Sequence, residues 1–163
     1  MEVVAEGPAG CSVVGSSCQG PAGDCSFADP LTSITVRVDN VDPADYGAVL
    51  ANPLGVGEGN QGETTEVAFR VAVAGVLLDT LTVRLEFRDG EAIRADGDYS
   101  GTDVTLTFEP GDVASQVVLA NVIGDDMVES NESFRVTLAG SWSNAHDEQV
   151  DQAETVVVIN NDD

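Results

Sequence analysis

The segment from Asp98 to Phe134 sets the tightest limit on how this chain can fold. Asp98-Tyr99 leads into an alternating run at 104–108. Pro110-Gly111-Asp112 supplies a tight turn, a second run follows at 117–123, and the acidic stretch Asp125-Asp126-Met127-Val128-Glu129 separates it from a third run at 134–138. Alternation of apolar and polar residues with a period of two puts one face of a strand inward and the other outward. Pro, Gly and Asp between such runs supply the backbone angles that turns require. Three short strands joined by turns within one segment are incompatible with a helical fold.

The same rhythm extends over most of the chain. Strands are predicted near 48–56, 64–74, 80–88, 103–108, 115–123, 133–139 and 153–160, each rich in Val, Thr, Leu and Phe. No long segment has a helical period. This spacing predicts an all-β, immunoglobulin-like antiparallel sandwich of about seven strands over 46–163. Residues 1–45 read as an N-terminal arm, rich in Gly, Ser, Pro and Cys up to residue 30. A further alternating strand near 33–39 places Ile34, Val36 and Val38 on one face. It reads as surplus to the sandwich, and two roles are open: an added edge strand, or a strand lent to a neighbouring copy. The apolar run at 155–159 is a second candidate for exchange. If the lent-strand role holds, deleting 1–40 leaves a folded monomer. The acidic segment 39–45 lacks the spacing of an EF-hand loop and reads as a turn.

The net charge of -23 over 163 residues excludes whole classes of function. Nucleic acid and anionic lipid both need basic partners. Divalent cations, or a salty or extracellular setting that screens self-repulsion, are favoured. All six basic residues are Arg, so lysine Schiff bases and phosphate-binding P-loop lysines are excluded. No apolar run is long enough to span a membrane, and no membrane insertion is expected. The start shows no secretory leader, which leaves a cytosolic chain or a sequence that begins after processing. Cys11, Cys18 and Cys25 are disulfide candidates, with one thiol left over for a link between chains. Three Cys and a distant His146 do not make a four-ligand zinc site. With a single His, no nucleophile elbow and 5% aromatic residues, no catalytic set is visible and no enzymatic activity is expected.

The order of these features over about 48–163 resembles the Calx-beta domain, a calcium-binding β-sandwich family. The resemblance rests on the Glu58 turn, the Asp98-Tyr99 pair, the loop Asp125-Asp126-x-x-Glu129-x-x-Glu132-x-Phe134, and the closing Asp162-Asp163. It implies that Glu58, Asp98, Asp125, Asp126, the Met127 carbonyl, Glu129, Glu132, Asp162 and Asp163 gather at one pole and hold Ca2+, with Phe134 as a core aromatic. Gly124 and Asn161 stand where strong binders of the family carry acids, which implies a weaker site or fewer ions. It also favours an extracellular chain that begins after processing.

Two functions fit. One is a self-assembling subunit of a cell-surface filament or layer, joined to copies of itself by strand complementation and stiffened by calcium and disulfides. The other is a calcium-dependent adhesion or spacer module with neighbouring modules as partners. An intracellular calcium-sensing domain ranks behind both.

Overall fold

The computed structural model describes residues 5–6, 12–14, 17–19, 32–111, 115–142 and 146–161. It divides into two compact units, Met1–Leu31 and Thr32–Asp163. In the first unit, β1 (Ala5–Glu6), β2 (Ser12–Val14) and β3 (Ser17–Gln19) form a small antiparallel sheet in that order. Cys11 and Cys25 lie outside the described residues, and of Cys18 only the backbone is described, so the disulfide expectation falls outside them too.

The second unit is a two-sheet β-sandwich, and no helix occurs among its described residues. One sheet has five strands in the order β10 (Val104–Phe108), β8 (Leu81–Asp89), β12 (Glu132–Trp142), β14 (Glu154–Asn160) and β6 (Leu54–Gly57). The other has six: β13 (His146–Gln152), β4 (Thr32–Asp42), β7 (Thr64–Ala74), β11 (Ser115–Ile123) and β9 (Tyr99–Ser100) in a row, with β5 (Asp45–Val49) also paired to β4. Pairing is antiparallel except for β13 with β4 and β14 with β6.

Alternation places the core. Val36 and Val38 from β4, Phe69 and Val71 from β7, and Leu81, Val83 and Leu85 from β8 are all buried between the sheets. Four aromatic rings close one end. Phe134 stacks on Tyr99 with centroids 3.8 Å apart and planes within 5°, and Phe69 and Phe87 meet the same group. Burying rings of this size stabilises a small domain by several kcal/mol in all.

Four expectations need correction. The strand near 33–39 is neither an added edge nor free to be lent. It is β4, which pairs with β7 on one side and β13 on the other, and Ile34, Val36, Val38 and Val41 are fully buried. The unit boundary therefore falls before Thr32, not after residue 45. The length of β4 is masked in the sequence because Asp39 and Asn40, although polar, are buried in mid-strand. Asp39 accepts from Arg37 Nε at 2.7 Å, and the Asn40 amide donates to the carbonyls of Ala51 and Val156. The run at 155–159 lies inside β14, between β12 and β6. The single strand expected at 48–56 is two: the chain leaves β5 in one sheet, passes Asn52-Pro53 and enters β6 in the other.

Candidate metal centre

Inward-facing positions of three neighbouring strands continue past the end of the apolar core. In β12 the buried Phe134 and Val136 are preceded, two residues earlier, by Glu132. In β14 the buried Thr155, Val157 and Ile159 are followed by Asn161. After the buried Val56 of β6 comes Glu58, which is 6% exposed. Because side chains two apart share a face, each of these polar groups points toward the interior where the interior ends. From the other sheet comes Asp98, one residue before the buried Tyr99 whose ring lies on Phe134. The ring stack thus holds Asp98 and Glu132 at fixed places relative to each other.

Carboxylate oxygens of Asp98, Glu129 and Glu132 all lie within 4.8 Å of one another. Glu58, Ser130, Ile159 and Asn161 complete the lining of a recess of about 10 Å³, the room of one water-sized sphere. Among the described residues, no ion pair involves Asp98, Glu129 or Glu132; the arginine ion pairs lie elsewhere. The Glu132 carboxyl is pushed up to about 7, first by its burial and then by the charge and hydrogen bond of Asp98, with Glu129 and Glu58 adding to it. Glu58 is also raised, by burial and then by the charge of Asp125. Such a group of acids holds together either by keeping a proton or by taking a cation. One oxygen of Asp98 is already committed, accepting from Ile93 N at 2.7 Å, which orients the other.

The remaining expected ligands divide. Asp125 Oδ1 accepts from Met127 N at 2.6 Å, and Asp126 Oδ1 accepts from Gln61 N at 3.2 Å, so both spend an oxygen on shaping the loop. The Met127 carbonyl accepts from the Asn161 amide at 2.9 Å, and the same amide donates to Glu58 Oε2 at 3.0 Å. Asp162 and Asp163 lie outside the described residues. Ser130 was not anticipated, and a polar residue inside an acidic loop carried no signal of its own. Gly124 has a structural reason. A Cβ there would stand 2.5 Å from the carbonyl oxygens of both Gly59 and Asn60, because this turn is bonded to residue 124 through Gly62 N and Glu63 O. Gly59 itself has φ of 83°, a conformation natural to glycine.

The family model of the Calx-beta domain matches residues 58–163. The chain belongs to the Calx-beta family. Among solved structures, the apo-form Calx CBD1 domain is 26% identical with a TM-score of 0.59, over 80% of this chain and 99% of that one. CBD12 from CALX1.2 is 26% identical, TM-score 0.58, and CBD12 of CALX1.1, a calcium binding domain, is 30% identical, TM-score 0.55. This chain spans 46% and 42% of those two longer chains. Comparison with curated proteins gives no match. The Calx-beta assignment agrees with the two-sheet architecture and with the acidic pole at one end of it. The donor set fits a hard divalent cation, since every side-chain ligand offered is an oxygen.

Proposed function

We propose that this chain is a non-enzymatic Calx-beta module that binds Ca2+ between Asp98, Glu129 and Glu132 and uses the ion to stiffen one pole of the sandwich. The observation that carries this is three carboxylates within 4.8 Å with no arginine paired to them among the described residues. Calcium supplies the countercharge that the fold withholds. With few carboxylates the site belongs to the weaker class, with Kd on the order of 10⁻⁴–10⁻³ M, suited to the millimolar calcium of an extracellular setting. β14 ends at this pole, so an ion there restrains the chain where it leaves the sheet. That is the mechanics of an adhesion or spacer module joined to neighbouring modules.

Thermal melting with calcium, magnesium or a chelator tests the proposal. Calcium at a hundredfold its Kd should add about 2.7 kcal/mol, and magnesium, which tolerates irregular oxygen cages poorly, should add much less. Equal melting curves in all three conditions would remove the reading. A self-assembling filament is the second reading. Both of its expected donor strands are interior, so lending either would empty the core, and assembly would have to use the separate Met1–Leu31 unit. Sedimentation at high protein concentration, with and without calcium, decides it: a monomer throughout rules the filament out.

A further inference from the structure

We infer that the Asn161 amide permanently fills a second cation position at this pole, so that the chain binds one divalent ion and not two. The inference rests on the calcium reading above and concerns how many ions that pole accepts. Asn161 Nδ2 lies 3.0 Å from Glu58 Oε2 and 2.9 Å from the Met127 carbonyl oxygen. Neither partner has a proton to give when Glu58 is ionised, so the chemistry of the contacts fixes the amide with its NH2 between them. A carboxylate and a main-chain carbonyl converging on one point is what a hard cation coordinates. Here a neutral donor with two N–H bonds stands at that point.

The amide is held there from several sides. Asn161 N donates to Asn131 Oδ1 at 3.2 Å, and the Asn131 amide reaches Asn160 Oδ1. Glu58 N donates to Asn160 O at 3.0 Å, which ties the backbone of the acceptor to that of the donor strand. Glu58 is almost wholly buried, so solvent competes little for its carboxylate. Asp125, the acid nearest this half of the pole, turns an oxygen back to Met127 N. The pole therefore has two halves. One, around Glu58 and Met127, is closed by the protein's own hydrogen bonds without any ion. The other, at Asp98, Glu129 and Glu132, has no such amide between its carboxylates among the described residues.

Asn161→Asp tests this directly, because it exchanges the donor for a third oxygen at the same place. Calcium titration calorimetry of the full chain in physiological salt should give one ion per chain for the wild type and two for N161D. The E132Q substitution should remove the ion from the wild type, while the double variant N161D/E132Q should keep one. Two or more ions in the wild type, or a single ion in N161D, would overturn the inference and leave the calcium reading standing. No ion in either protein would overturn both. A second measurement serves if N161D fails to fold: the side-chain amide resonances of Asn161 in the ¹⁵N-labelled wild type. They should stay slowly exchanging and away from solvent-like shifts as calcium is raised to saturation. Fast exchange or a solvent-like shift at saturation would mean that an ion has displaced the amide, which overturns the inference.

Discussion

Replacing Glu132 by glutamine should stabilise the calcium-free protein and abolish its response to calcium. The two effects have opposite signs and one cause. In the folded chain the Glu132 carboxyl titrates at about 7 against 4.5 for the free group, burial being the larger reason and Asp98 the next. Ionising it at pH 8 therefore opposes folding by roughly 3 kcal/mol at most. Coulomb's law gives a repulsion of the same order: unit charges no more than 4.8 Å apart repel by about 3 kcal/mol or more at an effective dielectric of 20. The substituted side chain would be neutral and would still donate a hydrogen bond to Asp98. Partial solvent screening lowers the expected gain to about 1–3 kcal/mol, or roughly 4–12 °C in Tm for a unit of this length. Saturating calcium should raise the wild type by about 2.7 kcal/mol at a hundredfold Kd and E132Q by almost nothing. Differential scanning calorimetry at pH 8 should thus show the variant melting above the wild type in chelator and losing most or all of that lead in calcium, because only the wild type gains from the ion. At pH 5, where Glu132 is already protonated in the folded wild type, the chelator difference should shrink to under about 1 kcal/mol. A variant that melts below the wild type in chelator at pH 8, or that keeps the full calcium shift, would refute the argument that this carboxylate is held in a repulsive group awaiting a cation.

Other expectations follow from the same geometry. Because the folded pKa of Glu132 is raised, its contribution is fully present below about 4.5 and is lost as pH rises through about 7. Calcium-free urea midpoints should therefore fall between pH 5 and 8, and saturating calcium should flatten or reverse that slope. Phe134→Ala, which empties the face against Tyr99, should cost about 3–5 kcal/mol in urea denaturation and weaken calcium binding by releasing Asp98 and Glu132 from each other. Gly124→Ala should cost on the order of 1–3 kcal/mol, because its Cβ would meet backbone oxygens at 2.5 Å and the 58–63 turn must shift. Removing 1–31 should leave Thr32–Asp163 with a cooperative melt, whereas removing 1–40 deletes most of β4 and should leave no folded protein by circular dichroism.

What the sequence disclosed and what it hid divide along physical lines. β7, β10 and β11 match the expected spans at 64–74, 103–108 and 115–123 to within a residue, because each is rich in Val, Thr, Leu or Phe and glycine or proline punctuates its ends. β13 has no counterpart among the expected strands because His146–Gln152 is almost wholly polar; as an edge strand beside β4 it needs no apolar rhythm. β9 is two residues long, too short for alternation to distinguish it from a turn. The role of β4 could not be read from its pattern, since alternation shows that one face is buried but not which strands lie beside it. At the pole, Asp98, Glu129 and Glu132 were legible as a group through the resemblance and come together in space. Asp125 and Asp126 were expected in the same group through the resemblance, but each spends an oxygen on a backbone N–H of the loop. Whether an acid faces an ion or folds back onto a backbone N–H depends on loop torsions that no residue pattern encodes. Asn161 stood out as a departure, and the period of β14 could have placed it on the inward face.

That period also explains why the site exists at this end. A two-layer sandwich must stop its interior somewhere, and the last inward position on each strand is neither core nor surface. Filling it with Glu58, Glu132 and Asn161 puts groups with strong hydrogen-bonding capacity around a small space walled by Ile159. An apolar filling would have given a more stable protein without a ligand. The rings of Phe134 and Tyr99 directly beneath hold the acids in place before any ion arrives, so little ordering remains for calcium to impose. Preorganised repulsion of this kind makes the ion's contribution large relative to the few ligands offered. It also confines the contribution to conditions where the carboxylates are ionised, which is why pH and calcium should act on this module as opposing controls of one group.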